Sequence, residues 1–390
     1  MLNLLRKSLS LEIENFTNFL KLGSLKKITK SAFVQARMKI MPEVFEYLSQ
    51  TLVAEFYTDN DAAIKLWNNF RLLAVDGSRI TLPFTKELKQ IYGEVENKNK
   101  TGVIQARCSV LYDIDNLYVL EGKLTPLKQG ERELALMHLS HCKKQDLIIY
   151  DRGYPSYAFI KEHIINDISY LMRVKVSFNQ QIIDFKKSKK ETAILDIFPG
   201  KYTKKSERLD PKNAGIKVRL VRVKLPKNQI EILITSLLDI EKYPSKIFKK
   251  LYQKRWGVET FYDELKNKLK VEHFSGYSNQ SIHQDFYAAL FISNIQTLIV
   301  SELEDEIVIE NKNKKYDYKI NTNLSYGFLK NRVLELFFSK KSQESIISEL
   351  KKLFKENQIP IRPNRSNIRN TSKYRTRRKP KVTKNQKDTI

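Results

Sequence analysis

Residues 71–174 show an order of strand and helix patterns that leaves few possible folds. Three strand patterns come first, at residues 72–75, 103–112 and 117–124, with a hairpin turn at 113–116. They are followed by a helix at about 131–142, a short apolar strand at 147–150, a helix at about 157–165 and a strand at 168–174. Three antiparallel strands that lead into alternating helices and strands predict an α/β protein with a mixed sheet and crossover helices.

The N-terminal segment is different, because residues 1 to about 69 look helical throughout, and Pro42 marks a place where a helix begins. Six apolar residues in this segment are spaced for one buried face: Phe33, Met38, Met41, Val44, Phe45 and Leu48. Helical regions of this kind bind DNA or a partner in some proteins and form a packing layer in others. The pattern alone fits both interpretations.

Beyond residue 175 the sequence changes character twice. Residues 176–229 are strand-like, turn-rich and basic, with 14 Lys plus Arg against 5 Asp plus Glu, which predicts an inserted β subdomain that lies against DNA. A strand at 230–238, a long helix from about 245 to 269 and further helices to about 354 follow. Residues 359–390 hold 11 Lys plus Arg, one acidic residue and three prolines, so we expect a disordered basic arm with non-specific affinity for DNA.

The charge of the whole chain indicates an acidic polymer as partner. Lys and Arg total 70 against 44 Asp and Glu, so nucleic acid is the first candidate, and a basic surface that only keeps the chain soluble is the alternative. Cys108 and Cys142 lack the spacing of a disulfide framework or a four-cysteine zinc site, which fits a reducing cytoplasm. Residues 1–16 do not resemble a signal peptide, and the apolar residues 287–300 are too few to span a membrane, so a buried helix is predicted there.

Two aspartates stand where apolar strand patterns end. Asp76 lies in Leu-Ala-Val-Asp-Gly-Ser, and Asp151 lies in Ile-Ile-Tyr-Asp-Arg-Gly-Tyr. In a sheet with crossover helices, functional groups gather in the crevice at the strand ends, which favours a site there. Each aspartate taken alone is also typical of an ordinary turn.

The helix predicted for residues 245–269 has a polar face. At 100° per residue, four of its side chains fall within an arc of roughly 60°: Tyr252, Arg255, Glu259 and Lys266. The other side of the helix is apolar, so core packing does not require these four residues. A solvated face with helical ion pairs is the alternative to a functional site.

Three carboxylates from separate elements would suit phosphodiester chemistry. Attack at phosphorus needs charge neutralisation at the attacking and the leaving oxygen, which two magnesium ions roughly 3.5–4 Å apart provide. A small cluster of carboxylates has to hold such ions. Asp76, Asp151 and Glu259 are therefore the candidates for catalysis and for binding two Mg²⁺ ions, which Mn²⁺ can replace. The cations on the helix face would contact flanking phosphates, and its tyrosine would bond a phosphate or stack on a base.

The order of these motifs resembles the DDE transposases of the insertion sequence four group. Asp-Gly-Ser comes first and Asp-Arg-Gly-Tyr second. The spacing Tyr, two residues, Arg, three residues, Glu, six residues, Lys then matches the YREK signature of that family. Residues 31–37, Ser-Ala-Phe-Val-Gln-Ala-Arg, also resemble a segment that precedes the catalytic core in the family. The resemblance spans at least residues 31–276.

The resemblance implies a ribonuclease-H-like core that a β-rich insertion interrupts between the second Asp and the Glu. It implies that Asp76, Asp151 and Glu259 bind the metal ions and that Tyr252, Arg255 and Lys266 hold the transposon-end DNA. Two further candidates for DNA binding are Trp256 and Arg152. The implied activity is cutting at terminal inverted repeats and joining of the freed 3′ ends to target DNA. The implied partners are double-stranded DNA and a second copy of the chain, in the cytoplasm and at the nucleoid.

The patterns and the resemblance together divide the chain into six predicted segments. These are a helical DNA-binding region (1–69), the first part of the core (70–175), the β-rich insertion (176–230), the second part of the core with the Glu-bearing helix (231–305), a C-terminal helical region (306–358) and the basic arm (359–390).

Some relatives of this kind form a DNA hairpin with a flipped base stacked on aromatic side chains. The tryptophans here are Trp67 and Trp256, so Phe178 or Tyr202 would have to take that role in the insertion. Trp256 also fits a core position on the helical wheel. The sequence leaves the hairpin step open.

Other polar residues are weaker candidates. His138, His141 and Cys142 are spaced like a partial metal site on one helix, but no fourth ligand accompanies them. Structural roles are predicted for Asp146, which begins its strand, and for Asp113 and Asp115, which lie in the hairpin turn.

Overall fold

The computed structural model describes residues 9–19, 28–59, 63–96, 102–199, 215–226 and 229–362. Its helices are α1 (Leu9–Phe19), α2 (Lys30–Arg37), α3 (Glu43–Asp59), α4 (Lys86–Tyr92), α5 (Glu131–Met137), α6 (Tyr157–Ile165), α7 (Gln180–Lys187), α8 (Phe248–Gln253), α9 (Trp256–Asp263), α10 (Asn279–Ser301), α11 (Glu304–Asn311), α12 (Thr322–Phe338) and α13 (Gln343–Glu356). Its strands are β1 (Arg71–Leu82), β2 (Ile104–Asp113), β3 (Val119–Pro126), β4 (Asp146–Tyr150), β5 (Ser169–Val174), β6 (Thr192–Ile197), β7 (Ile216–Lys224), β8 (Ile230–Thr235), β9 (Tyr318–Ile320) and β10 (Gln358–Pro360).

Eight of the strands form one mixed sheet in the order β3-β2-β1-β4-β5-β8-β7-β6. β1 and β3 are antiparallel to β2, while β4 is parallel to both β1 and β5. The predicted mixed α/β class is therefore confirmed, and the arrangement is consistent with a ribonuclease-H-like core. Helix α4, between β1 and β2 in the chain, is not indicated by the apolar pattern.

The central strands of the sheet are buried on both faces. Successive residues of β1 enter two different hydrophobic clusters, with Leu72 and Ala74 in one and Leu73 and Val75 in the other. The first cluster includes residues of α8, α9 and α10, and the second includes residues of α6 and α7. Because strand side chains alternate between faces, Asp76 belongs to the face that α8, α9 and α10 cover.

The N-terminal helices do not bury the predicted face, so that prediction is wrong. Of its six residues, Phe45 is buried, Phe33 is partly buried and the other four are exposed. Instead, the buried stripe of α3 consists of Phe45, Ser49, Val53 and Phe56, and α3 packs on α10. Part of this contact is polar, since Asn294 Nδ2 donates to Ser49 Oγ at 2.8 Å, and an apolar pattern cannot reveal such a position. The predicted start of a helix at Pro42 is confirmed, because α3 begins one residue later.

Residues 176–229 contain β6 and β7, which continue the main sheet, but Gln180–Lys187 forms helix α7, so the prediction of a purely strand-like segment is wrong there. β8 pairs with β5, β7 with β8 and β6 with β7, all antiparallel. Two arginines of β7 are buried: Arg219 donates to the carbonyl oxygen of Tyr243 at 2.7 Å, and Arg222 donates to that of Phe185 at 2.7 Å. These two cations therefore cannot belong to a DNA-facing surface. Whether the segment acts as a subdomain stays a prediction.

The basic arm begins later than the sequence predicts. Ile359 and Pro360 lie in β10, which pairs antiparallel with β9, so the predicted boundary at residue 359 is wrong. The strand forms because its backbone finds a partner in β9, which the prolines and the charge of the segment do not disclose. Residues 363–390 of the arm lie outside the described part of the chain.

Helix α10 contains residues 287–300, and most of its side chains are buried, as predicted. Within the described residues, no single helix combines the length and the apolar composition needed to cross a membrane. The bent pair α10 and α11 meets these two criteria only when both helices are taken together.

Candidate active site beside strands β1 and β4

Asp76 and Asp151 occupy equivalent positions beyond a parallel pair of strands. The ladder between β1 and β4 ends with Ala74 opposite Ile149, and each aspartate comes two residues later. This equal spacing puts both side chains on the same face and at the same end of the sheet. The sequence pattern suggests that Asp76 follows the end of its strand. In the structure it lies inside β1 instead, because β1 goes on pairing with β2 as far as Leu82.

The helix predicted for residues 245–269 is present, but it is interrupted twice. A turn at Lys254 and Arg255 separates α8 from α9, and α9 continues into a π-helical turn at Glu264–Lys268. A π turn changes the angle per residue, so the 100° wheel does not hold beyond α9. Lys266 still reaches β1, where its Nζ donates to the carbonyl oxygen of Arg79 at 2.7 Å.

A buried phenol fastens α9 to the sheet. Tyr262 OH donates to the backbone carbonyl oxygen of Asp76 at 2.7 Å and lies 3.2 Å from that of Cys108 on β2. The bond ties the helix that carries Glu259 to the strand that carries Asp76. Sequence reasoning missed Tyr262, because its place among apolar helix residues is typical of a core position.

Arg255 lies between two of the three candidate carboxylates. Its Nη2 is 2.6 Å from Glu259 Oε1, and its Nη1 is 3.7 Å from Asp76 Oδ2. The side chain is 7% exposed, and its Nε has no hydrogen-bond partner among the described residues. Asp76 and Glu259 therefore approach one guanidinium from two sides.

Asp151 has an arginine of its own. Arg173 Nη2 lies 2.7 Å from Asp151 Oδ1, and the same guanidinium pairs with Glu231 through Nη1. Tyr252 OH donates to Asp151 Oδ1 at 3.3 Å. Sequence reasoning missed Arg173 as well, although a single cation within the otherwise apolar strand β5 is a usable signal.

The two aspartates differ in how readily they ionise. Burial raises the pKa of Asp76 to about 6, although a backbone N–H and Arg255 lower it, and the charges of Glu259 and Asp151 raise it further. Burial also acts to raise the pKa of Asp151, but a backbone N–H, Arg173 and Arg255 outweigh it and hold that pKa below its ordinary value. The effect of Glu259 and Asp151 on Asp76 means that the three carboxylates interact electrostatically.

The three carboxylates offer the donor atoms that a hard divalent ion prefers. Mg²⁺ is usually bound through one or two carboxylates together with water and substrate phosphate. In the described ranges, however, no group of three or more acidic, histidine or cysteine side chains is already arranged to hold a metal. The guanidiniums of Arg255 and Arg173 occupy oxygens of the three carboxylates instead. The residues thus fit a divalent ion in their chemistry.

The other predicted DNA-binding side chains surround this group. Tyr252 is buried beside Asp151, whereas Arg152 is exposed and Trp256 is 49% exposed. The exposure of Trp256 shows that its alternative assignment to the core is wrong, because the broken helix turns its indole outward. The indole ring centre lies 5.4 Å from the guanidinium carbon of Arg255. Of the two aromatic residues named for the insertion, Phe178 is partly buried against the second core cluster and Tyr202 lies outside the described residues.

The histidines considered as a partial metal site belong to a buried hydrogen-bond network. His138 Nδ1 contacts Glu121 Oε2, and its Nε2 lies 2.9 Å from Ser109 Oγ. His141 Nε2 contacts the other oxygen of Glu121 at 3.2 Å, and Cys142 Sγ lies 3.4 Å from the carbonyl oxygen of His138. Burial lowers the pKa of His138 against the raising effect of Glu121. These contacts agree with a structural role.

The three remaining aspartates also have fixed partners. Asp146 lies at the start of β4, at the end away from Asp151, and makes two bonds of 2.7 Å with Arg71. Asp113 is fully buried and accepts hydroxyl and amide hydrogen bonds. Asp115 pairs with Lys254 Nζ at 2.6 Å. These contacts agree with the structural roles that the sequence predicts for them.

Comparison with known proteins adds three findings. The model of a family described as the transposase DDE domain matches residues 67–295. Transposase InsG for insertion sequence element IS4, from Escherichia coli (strain K12), is 21% identical over 291 residues, which cover 73% of this chain. The match spans 64% of that relative's length. Among solved structures, the cryo-EM structure of the piggyBac transposase synaptic complex with hairpin DNA aligns with a TM-score of 0.37 and 9% identity, over 91% of this chain and 79% of that one.

Proposed function

This chain belongs to the family of the transposase DDE domain, whose model covers more than half of it, and from that membership we propose that it is the DNA transposase of an insertion sequence. In this proposal it cuts DNA at terminal inverted repeats and joins the freed 3′-OH ends to target DNA. It would thus act as a metal-dependent nuclease and strand transferase. The observation that supports this most is that Arg255 contacts both Asp76 and Glu259, while Arg173 and Tyr252 contact Asp151.

Asp76, Asp151 and Glu259 are the proposed ligands of two Mg²⁺ ions, which Mn²⁺ can replace. Members of this family generally depend on a divalent metal. When bound, such ions stabilise the charge that develops on the attacking and leaving oxygens of a phosphodiester. The chain contributes three carboxylates on three elements, and the bond from Tyr262 to the carbonyl oxygen of Asp76 supports their convergence.

Five residues are proposed to hold DNA: Tyr252, Arg255, Lys266, Trp256 and Arg152. An arginine can grip a phosphate with two parallel N–H groups, a lysine acts on it as a point charge, and a phenol donates one hydrogen bond. The half-exposed indole of Trp256 offers a stacking surface, and a stacked base contributes about 1–3 kcal/mol. Contacts of this kind position the DNA backbone without reading its sequence.

We also propose double-stranded DNA as both substrate and target, and two copies of the chain on a synapsed pair of ends. The net charge of +26 supports DNA as the partner, because phosphate neutralisation dominates such affinities. The helical region 1–69 is proposed to bind DNA, and residues 363–390 to add non-specific affinity. The proposed place of action is the cytoplasm, at the nucleoid.

Isosteric replacements test the catalytic assignment. The variants Asp76→Asn, Asp151→Asn and Glu259→Gln should fold and bind a duplex that carries the inverted repeats bordering the gene, but they should not cut it in Mg²⁺ or Mn²⁺. The matched control is Asp115→Asn, which removes a carboxylate paired with Lys254 and should cut like the wild type.

Each contrary outcome has its own meaning. Full cleavage by a folded Asp76→Asn protein would remove Asp76 from the mechanism. Cutting without joining, when 3′-OH ends are mixed with a target plasmid, would indicate a nuclease that acts alone. Binding that persists in chelator, with no cutting in either metal, would indicate a DNA-binding repressor or architectural protein.

A further inference from the structure

Two arginines in the site make contacts that a bound metal ion would also need. Arg255 Nη2 is 2.6 Å from Glu259 Oε1, and Arg173 Nη2 is 2.7 Å from Asp151 Oδ1. A magnesium ion binds carboxylate oxygens at about 2.0–2.1 Å and demands near-ideal octahedral geometry. An oxygen that already accepts a short charge-assisted bond cannot easily meet that demand. The arginine contacts and metal binding therefore compete.

Electrostatics adds to this competition. The Nη1 of Arg255 lies 3.7 Å from Asp76 Oδ2, so the guanidinium stands between two of the proposed ligands. A divalent ion held by the same carboxylates would lie close to that positive charge, and the side chain is 7% exposed, so water screens the repulsion poorly. For the ion to bind well, the arginine has to move away from the carboxylates.

Both guanidiniums also have a donor that no acceptor satisfies. The Nε atoms of Arg255 and Arg173 are buried and have no hydrogen-bond partner among the described residues. Leaving a buried donor without an acceptor is unfavourable, so an incoming acceptor would be bound favourably. A phosphate presents several oxygens and pairs with the planar fork of arginine through two parallel bonds. A DNA backbone phosphate would satisfy the orphaned donors and could draw both arginines off the carboxylates.

We propose that Arg255 and Arg173 are displaceable counter-cations: they neutralise the carboxylates of the metal-free protein, and a DNA phosphate draws them away so that divalent ions can bind. This inference rests on the proposed function, since it takes the same carboxylates as metal ligands and DNA as substrate. It assigns Arg173 to the site, where the sequence gives it no role. Its consequence is that DNA and metal binding strengthen each other, by the same factor in both directions.

The test measures Mn²⁺ affinity of the full chain by electron paramagnetic resonance, with and without a transposon-end duplex whose 3′ ends are dideoxy-terminated. The Asp76→Ala protein with the same duplex is the background control, because it measures the Mn²⁺ that DNA phosphates and other groups bind. The informative variant is Arg173→Gln. The matched control is Arg79→Gln, because Arg79 is exposed and lies three residues after Asp76, on the other face of β1.

The wild type should bind Mn²⁺ about tenfold more tightly when the duplex is present, a typical size for coupling between two sites. Without DNA, Arg173→Gln should bind Mn²⁺ about tenfold more tightly than the wild type, and the duplex should then strengthen its binding much less. Arg79→Gln should behave like the wild type in both measurements. Arg173→Lys keeps the charge but loses the fork, so it should fall between the wild type and Arg173→Gln, and it serves as the second variant if Arg173→Gln does not fold.

Two failures are distinguishable. If Arg173→Gln shows the Mn²⁺ affinity and the full DNA coupling of the wild type, direct contact between metal and DNA explains the coupling and the arginine inference is wrong. If the wild type takes up no more Mn²⁺ than Asp76→Ala, the proposed metal site itself is wrong, and the inference falls with it.

Discussion

Replacing Asp76 with asparagine should stabilise the metal-free protein at alkaline pH. The pKa of this carboxyl is raised from 3.8 to about 6, chiefly by burial, so the folded state holds the ionised form at a cost. The difference of about two pKa units corresponds to about 3 kcal/mol. Because the side chain is 24% exposed, we reduce the expected gain to about 1–2 kcal/mol. Asparagine has the shape of the neutral acid and keeps an oxygen for the N–H of Gly77.

The direction of the pH dependence follows from the raised pKa. Below the unfolded pKa of about 4, the carboxyl is protonated in both states, and the wild type and Asp76→Asn should be equally stable. As the pH rises through 4 to 6, the unfolded state ionises more readily than the folded state, so the wild type loses stability. Above about pH 6 the difference reaches its full size and stays constant.

Urea denaturation at pH 8 and pH 4, in chelator, measures this effect. The control Asp115→Asn replaces a carboxylate held by Lys254 and should not stabilise the protein at pH 8. Addition of Mn²⁺ at pH 8 should stabilise the wild type and leave Asp76→Asn unchanged, because ligand binding to the folded state raises its stability. An Asp76→Asn protein that is equally destabilised at both pH values would refute the reasoning, since the ionised carboxylate would then favour folding.

Three further predictions concern other parts of the chain. Gly257→Ala should lower the cleavage rate at least tenfold while changing the free energy of unfolding by less than about 2 kcal/mol. The reason is that the added methyl group would lie 2.9 Å from Ile114 Cγ2 and push α9 away from the sheet. An unchanged cleavage rate in single-turnover assays would contradict this prediction. Arg219→Met should lower the free energy of unfolding by about 2–4 kcal/mol and leave the salt dependence of DNA affinity unchanged, since this guanidinium binds buried carbonyl oxygens. A weaker salt dependence of DNA affinity in the variant would show instead that Arg219 faces DNA. Deletion of residues 363–390 should weaken binding to unrelated duplex DNA and reduce the salt slope by about 0.9 for each phosphate that the arm neutralises; an unchanged slope in anisotropy titrations would remove the arm from DNA binding.

Local patterns predicted the elements of the core well. The helix α6 has the bounds that the sequence predicts, and β2, β3 and β5 agree to within two residues at every end. These elements alternate between apolar and polar positions or lie between clear turn residues, so their signals need no knowledge of distant partners. The two aspartates could be nominated for the same reason, because each follows a run of buried strand residues.

Long-range contacts explain what the sequence does not show. The equivalence of Asp76 and Asp151 depends on the register between two strands that are far apart in the chain. The buried stripe of α3 includes Ser49 because its partner helix presents Asn294 there, and no periodicity rule for apolar residues includes that pair. From the sequence, Arg219 belongs to the basic segment 176–229 and Arg173 has no assigned role, yet Arg173 binds a candidate carboxylate and Arg219 binds backbone carbonyls. Charge counts therefore overstate the surface that is free to bind DNA.

The central claim is that three acidic side chains hold divalent ions together, and anomalous diffraction tests it most directly. The crystals contain the full chain and transposon-end DNA that is dideoxy-terminated at its 3′ ends, and they are soaked in Mn²⁺. They should show two peaks of anomalous density roughly 3.5–4 Å apart. Each peak should be coordinated by oxygens of Asp76, Asp151 or Glu259. Manganese bound elsewhere, with these three carboxylates still paired to Arg255 and Arg173 in a complex that is competent to cut, would contradict the account.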